Sequence, residues 1–421
     1  MSTTFPGSPP PNRTKTENHL QATLGFAKRE ICRTISAGLA ILAVSLRLVC
    51  GDTLQWDPSG SSTSFTSANW HDVTTGSGGL IGPGGTSDYN TLQFVGSGNN
   101  SKDAPTAMSV GASTSFTSLL FADSFNSTNT TAISNNTAAN YIFHIANNGS
   151  IADNATSGTI TFSRSSSGTF TFDLYGANAV TVAAGAQIVF DSTVVIANES
   201  STNIGGIAKT GGGTLTLAGA NTFSGATAVS GGVLNAAGTG SNQALAATTS
   251  VTVNSSGTLL LGNSNQINDS ATMTLNGGSF NTGGFSEHGG SNNAAGVGSL
   301  TLSSSSVLNL GNGSSILAFA KSSGQSWTGT LSIYNWSGST TGGGTDQVYF
   351  GTDNTGLTST QLSQIEFYTG NGTGDLGMAR ILADGEIVPV PEPATWLAGI
   401  LSIAAIAWSL RGRFSQRLLL D

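Results

Sequence analysis

The sequence predicts an all-β fold, a right-handed parallel β-helix followed by one C-terminal transmembrane helix. From Thr53 to about Phe367 no long stretch repeats its apolar residues at helical spacing. Instead, runs of four to eight residues alternate apolar with polar side chains and are bounded by Gly, Asn or Ser, the pattern of strands and turns. The runs are unevenly spaced yet share a small vocabulary, chiefly G-x-L-x-L. Uneven spacing suits a solenoid, in which a coil can carry a turn of any length provided its strands stay in register. A β-sandwich or jelly roll is the alternative arrangement of the same strands.

Each strand group follows the alternation. In residues 157–197, Ile160, Phe162, Phe170, Phe172, Val180, Val182, Ile188 and Phe190 supply the apolar positions. In residues 211–238, Leu215 and Leu217 point to one side and Thr214 and Thr216 to the other, with Val229, Val233 and Leu234 adding apolar positions around Gly231-Gly232. Val251, Val253, Leu259, Leu261, Met273, Leu275, Leu300 and Leu302 continue the expected inward ladder. Glycine and asparagine take positive φ at low cost, which coil corners require.

Composition limits the partners. The chain has 421 residues, 57 of them Gly, and only 9% are charged. Nine of its fourteen basic residues lie in the terminal segments, so residues 51–410 hold five basic and 19 acidic residues, a formal charge of −14. Such a surface repels polyanions, and nucleic acid is excluded as a partner.

Residues 1–51 read as a signal peptide. Lys28, Arg29 and Arg33 precede the apolar run 35–44, and the segment closes on small residues at Cys50-Gly51. Arg47, three residues before Cys50, disfavours lipidation there. Removal of the segment takes Cys32 with it, so no disulfide framework is expected.

At the other end, residues 394–410 form an uncharged run of 17, about 26 Å long as a helix, at the lower end of spanning length. Trp396 and Trp408 lie near its ends, and Arg411, Arg413 and Arg417 follow, which predicts a cytoplasmic tail at 415–421. Pro391 and Pro393 keep the backbone around Glu392 extended.

Two resemblances follow from these residues. Residues 205–238 resemble the passenger-associated strand repeat of autotransporter-like bacterial surface proteins. The matching positions are Lys209, Thr210, Gly211, Gly213, Leu215, Leu217, Asn221, Thr222, Phe223, Gly225, Thr227, Gly232 and Leu234. Residues 388–414 resemble the PEP-CTERM sorting signal of Gram-negative bacteria through Pro391-Glu392-Pro393, the apolar run, and the cluster Arg411 and Arg413. This second resemblance implies recognition by an exosortase-type membrane peptidase, a membrane-anchored precursor released to the cell surface or outside, and association with exopolysaccharide and biofilm.

The expected domains are a β-helix over 52–326, carrying the repeat at 205–238, and a capping module over 327–387 with a short helix near 359–365. Trp56 and Trp70 are expected to pack over the first coil.

No chemical constellation emerges from the sequence. His71, His144 and His288 are far apart and form no H-x-x-x-H or H-E-x-x-H spacing. Asp57, Asp72, Asp88, Asp103 and Asp123 lie in separate loops, while Asp346, Asp353 and Glu366 fit turn or solvated roles. The expectation is a non-enzymatic, cofactor-free, exported structural or adhesive protein; the alternative is an exported carbohydrate-binding or polysaccharide-processing protein. A groove lined by aromatics and paired carboxylates favours the alternative, and a uniform Thr, Ser and Asn surface the first.

Overall fold

The computed structural model describes residues 52–56, 70–72, 89–94, 107–111, 113–122, 130–135, 138–240, 243–390 and Trp408. The signal peptide expected at 1–51 lies outside them, as do residues 391–414 of the sorting signal expected at 388–414, Trp408 excepted, and the tail at 415–421; residues 388–389 belong to the strand Glu386–Pro389. The described residues build a parallel β-solenoid of short strands. Parallel pairing through the centre excludes a sandwich or jelly roll, whose neighbouring strands run antiparallel.

Each coil passes through three faces. Tyr141–Asp153 supplies the first two: its opening residues pair with Phe170–Leu174, and its closing residues with Gly176–Val182. Gly158–Arg164 supplies the third and pairs with Ala186–Phe190. On the second face the stack continues through Gly205–Thr210, Thr227–Val229, Ser250–Asn254, Thr272–Asn276 and Val297–Ser304. On the third it runs through Thr214–Leu217, Gly232–Ala236, Gly257–Leu261, Ser279–Asn281, Ser306–Asn309, Leu331–Tyr334 and Ile365–Tyr368.

Coil circumference changes along the stack, and core composition changes with it. Thr181 is in register with Thr210, 29 residues on, and their hydroxyls meet at 2.8 Å, whereas Leu215 is in register with Leu234, 19 residues on. The longer coils enclose phenylalanines: Phe162 stacks on Phe190 at 4.9 Å, and Phe172 meets both rings edge-on at 4.8 Å. The shorter coils are filled by aliphatic ladders, in which Leu215 lies against Leu234 and then Leu259, all fully buried. The ten residues of the expected inward ladder from Leu215 to Leu302 are all buried. Val233 differs: it pairs with Thr214 and Thr258 on the outward, half-buried side, because Gly232 at φ +60° turns the corner and sets Leu234 inward.

In the shorter coils the first face shrinks to isolated bridges such as Leu245 to Ile267 and Glu287 to Leu317. Regular strands return there at Ile316–Ala320 and Gln347–Phe350. A four-residue helix, Ser359–Leu362, is held by a capping box. Thr358 accepts from the Gln361 backbone N–H, and the Gln361 side chain accepts from that of Thr358. Gln361 Nε2 also donates to the carbonyls of Ser322 and Gln325, fastening the helix to the preceding coil.

Antiparallel strands cover two faces at the C-terminal end of the described stack and one face at its start. Asp375–Ile381 pairs with Ile365–Tyr368 and then with Glu386–Pro389, which in turn pairs with Gln347–Phe350. At the start, Asp52–Trp56 pairs in parallel with Tyr89–Phe94 and antiparallel with Trp70–Asp72, which brings the backbones of Trp56 and Trp70 into register. Covered edges deny a template to other chains.

The transmembrane helix expected at 394–410 is corrected. Among the described residues no helix is long and apolar enough to cross a membrane, and Trp408 is 84% exposed. The run of 17 residues, about 26 Å as a helix, has no margin above the shortest spanning length. The membrane-anchored precursor and the exosortase-type peptidase depended on that helix, and both are withdrawn with it.

Candidate functional site

The repeat residues occupy the coil at which long circumference gives way to short. Lys209 lies fully buried in the stack, an uncommon place for an ammonium. Its Nζ donates to the carbonyls of Thr210, Gly211 and Gly231 at 2.7, 2.8 and 3.0 Å, so all three donors have acceptors. Two of those carbonyls belong to its own corner and one to the next coil; the side chain therefore ties two corners together. Burial lowers its pKa to about 8.

Glycines make this corner possible. Gly211 takes φ +74°, and a Cβ on it would lie 2.2 Å from the Val182 carbonyl oxygen. At Gly213 a Cβ would meet the carbonyl oxygens of Ala183 and Ala186 at 2.2 and 2.5 Å, and at Gly225 that of Gly205 at 2.4 Å. Leu215, Leu217 and Leu234 fill the interior, and Asn221 closes the coil. Its Oδ1 accepts from the Ile196 N–H and its Nδ2 donates to the Ala244 carbonyl, both at 2.9 Å, replacing strand pairing where the first face has none.

Two buried side chains absent from the sequence reading extend this role. Gln266 accepts from the N–H of Gly238 at 2.7 Å and of Ala244 at 3.2 Å, and donates to the carbonyls of Gly238 and Ser264. Glu287 accepts from the N–H groups of Gln266 and Ile267 at 2.8 and 3.3 Å, while burial raises its pKa to about 8. Asn221, Gln266 and Glu287 thus form a polar seam down the first face. Each stands in a different local sequence, so no repeated motif marks them.

The outer surface is mostly hydroxyl and amide. On the third face Thr159, Gln187 and Thr214 stack in register, and after Val233 the column continues through Thr258 and Ser279. Asn276 donates to Asn254, which donates to Ser230, along one corner. Asp346 and Asp353 have structural partners, whereas Asp57, Asp88, Asp103 and Asp123 lie outside the described residues. Asp346 accepts from the N–H groups of Ser315 and Ser337 and from the Ser337 hydroxyl, and Asp353 accepts from Thr355. His144 lies 3.4 Å from Asp173, whose pKa is raised by burial and lowered less by His144. No group of three metal-ligating side chains occurs among the described residues. An internal void of about 10 Å³, lined by Ile145, Phe172, Val180 and Ile196 among others, has room for no more than one water.

One outward cluster departs from this plain surface. At the C-terminal end of the third face the rings of Tyr334 and Tyr368 meet at 5.5 Å and 84°. Tyr368 donates to Glu366 at 2.7 Å, and this bond is the leading cause that raises the phenol pKa to about 12. Asn335 donates to Asn309 at 2.8 Å and to Asn371 at 3.0 Å beside the ring pair. A recurring Asn or Tyr at the close of third-face strands (SFN, VLN, SIY, IEFY) was the available signal.

These geometries agree with the comparison of families. Residues 207–236 match the family described as Passenger-associated-transport-repeat. The chain carries a passenger-associated repeat within a β-solenoid. The matched span starts at the strand bearing Lys209 and stops at the end of Gly232–Ala236, which makes it one short coil with both corners. A search of curated proteins and one of solved structures returned no match.

Proposed function

We propose that this is an exported, extracellular or cell-surface protein of structural or adhesive type, acting through the long outer faces of its solenoid. The observation that carries the reading is the arrangement of the passenger-associated repeat. Its polar groups are spent on holding coils together, and the surrounding outer faces present stacked Thr, Ser and Asn. A repetitive face of this kind spreads weak contacts over many positions. We assign it no catalytic step and no cofactor.

The finer reading is association with exopolysaccharide and sorting by a PEP-CTERM-type signal. It is supported by the tail sequence around Pro391-Glu392-Pro393 with Arg411 and Arg413. Low charge with acidic excess favours a neutral, hydroxyl-rich matrix over polyanions.

Surface labelling tests this proposal. Intact cells expressing the protein with an epitope inserted after Asn292 are treated with an impermeant protease. Loss of the epitope together with retention of a cytoplasmic marker is the expected outcome; full protection in washed, intact cells contradicts export. Replacing Pro391-Glu392-Pro393 with alanines should change the partition between surface and medium, and an unchanged partition contradicts the sorting assignment.

A further inference from the structure

We propose that the cluster around Tyr334 and Tyr368 is a binding platform for a neutral polysaccharide chain, a site that deepens, and rests on, the adhesive reading above.

The platform arises from strand register. Asn281, Asn309 and Tyr334 stand directly above one another on the outward side of the third face, and Tyr368 follows on the next strand. At about 4.8 Å between strands, these four positions span about 14 Å, the length of a few pyranose rings. Both tyrosines are half-buried, so each ring is fixed at its base and presented outward. The edge-to-face contact at 5.5 Å locks their relative orientation. Gly372, at φ +77°, brings the 369–374 turn beneath the Tyr334 hydroxyl, where a Cβ would lie 3.1 Å away. The rings are therefore preorganised, and ordering them on binding costs little.

The chemistry around the rings selects the ligand. A pyranose offers an apolar C–H face, which an aromatic ring covers, and a rim of hydroxyls, each both donor and acceptor. The amides of Asn309, Asn335 and Asn371 supply both roles and are already aligned by their mutual bonds. Glu366, held by the Tyr368 hydroxyl, is a further acceptor at the edge. An apolar peptide leaves the amides of Asn309, Asn335 and Asn371 without partners, and an anionic polymer meets Glu366 and Asp375 with no cationic partner among the cluster's side chains. A neutral glycan satisfies rings and amides together.

The test is affinity electrophoresis and isothermal titration of the full-length protein with dextran, galactomannan and xyloglucan, with polygalacturonate as the anionic control. Binding to at least one neutral polymer, weakened at least about tenfold in Tyr334→Ala/Tyr368→Ala, is expected, because stacking contacts carry such interfaces. Tyr334→Phe, which keeps the ring, should stay within about threefold of the parent. Should the double variant fail to fold, Asn335→Ala/Asn371→Ala, which alters the turn-side amides, should weaken binding by a similar factor. Absence of binding to every neutral polymer, preference for polygalacturonate, or undiminished binding by a folded variant overturns the platform. In the last case the protein still adheres through another face, and the adhesive reading survives; loss of surface exposure in the protease experiment removes that reading independently of the platform.

Discussion

Lys209 and Glu287 place opposite charges in the same stacked interior, and their titrations act in opposite directions. Glu287 has a folded pKa of about 8 against an ordinary 4.5, so the folded protein binds its proton more tightly. Its favourable contribution is complete below about pH 4.5 and is lost as pH rises to about 8. Lys209 has a folded pKa of about 8 against 10.5, so between those values the unfolded chain binds more protons and stability rises with pH. These two groups together predict a stability minimum near pH 8. Urea midpoints at pH 5, 8 and 10 should show it; Glu287→Gln should remove most of the fall between pH 5 and 8, the remainder belonging to the buried Asp153, whose carboxyl is pushed up to about 6, and Lys209→Met should remove the rise above it. A parent midpoint that climbs steadily from pH 5 to 8 contradicts the assignment for Glu287. Sterics give a second prediction at this scale. Gly213→Ala sets a methyl 2.2 Å from a backbone oxygen that belongs to the neighbouring coil, and should cost about 1–3 kcal/mol in chemical denaturation. A neutral substitution shows that these coils do not approach so closely.

A single coil of the repeat is held by three devices: the aliphatic ladder, the lysine corner and the asparagine closure. Leu215→Ala removes a fully buried side chain between Ile188 and Leu234 and should destabilise by about 2–5 kcal/mol. Asn221→Ala strands one buried N–H and one carbonyl, and should cost about 1–3 kcal/mol; Asn221→Asp should restore only the acceptor half. Hydrogen exchange at Ile196 checks the pairing, since its amide should lose protection in the alanine variant and keep it in the aspartate variant. The ladder and the glycine corners were legible in the sequence because alternation and Gly-x-Gly spacing are local patterns. The polar seam was not: Asn221, Gln266 and Glu287 meet only after coils of differing length have stacked, and no fixed period links them. The side taken by Val233 was not legible for a related reason, since a positive-φ Gly232 resets which side of the strand faces inward. The Tyr334 and Tyr368 pair was hidden similarly, one residue per coil.

For the molecule as a whole, stability and solubility depend on how the stack ends. The hairpin formed by Asp375–Ile381 and Glu386–Pro389 covers the last parallel edges of two faces and buries Ile387 and Val388. Ending the chain at residue 374 uncovers those edges, and the truncated protein should self-associate in light-scattering chromatography while the parent does not. A truncated monomer at the same concentration contradicts a capping role. Every outward column, and with it the adhesive surface and the tyrosine platform, follows from one claim: successive coils lie parallel and in the stated register. Disulfide trapping tests it most directly, in a background with Cys32 and Cys50 replaced by serine. Thr216 and Asn235 are in-register neighbours on the outward third face, within bridging distance of a cysteine pair, whereas Leu260 lies one strand farther. Thr216→Cys/Asn235→Cys should oxidise to a single intramolecular disulfide and Thr216→Cys/Leu260→Cys should stay reduced; the reverse pattern, or equal trapping of both pairs, contradicts the register.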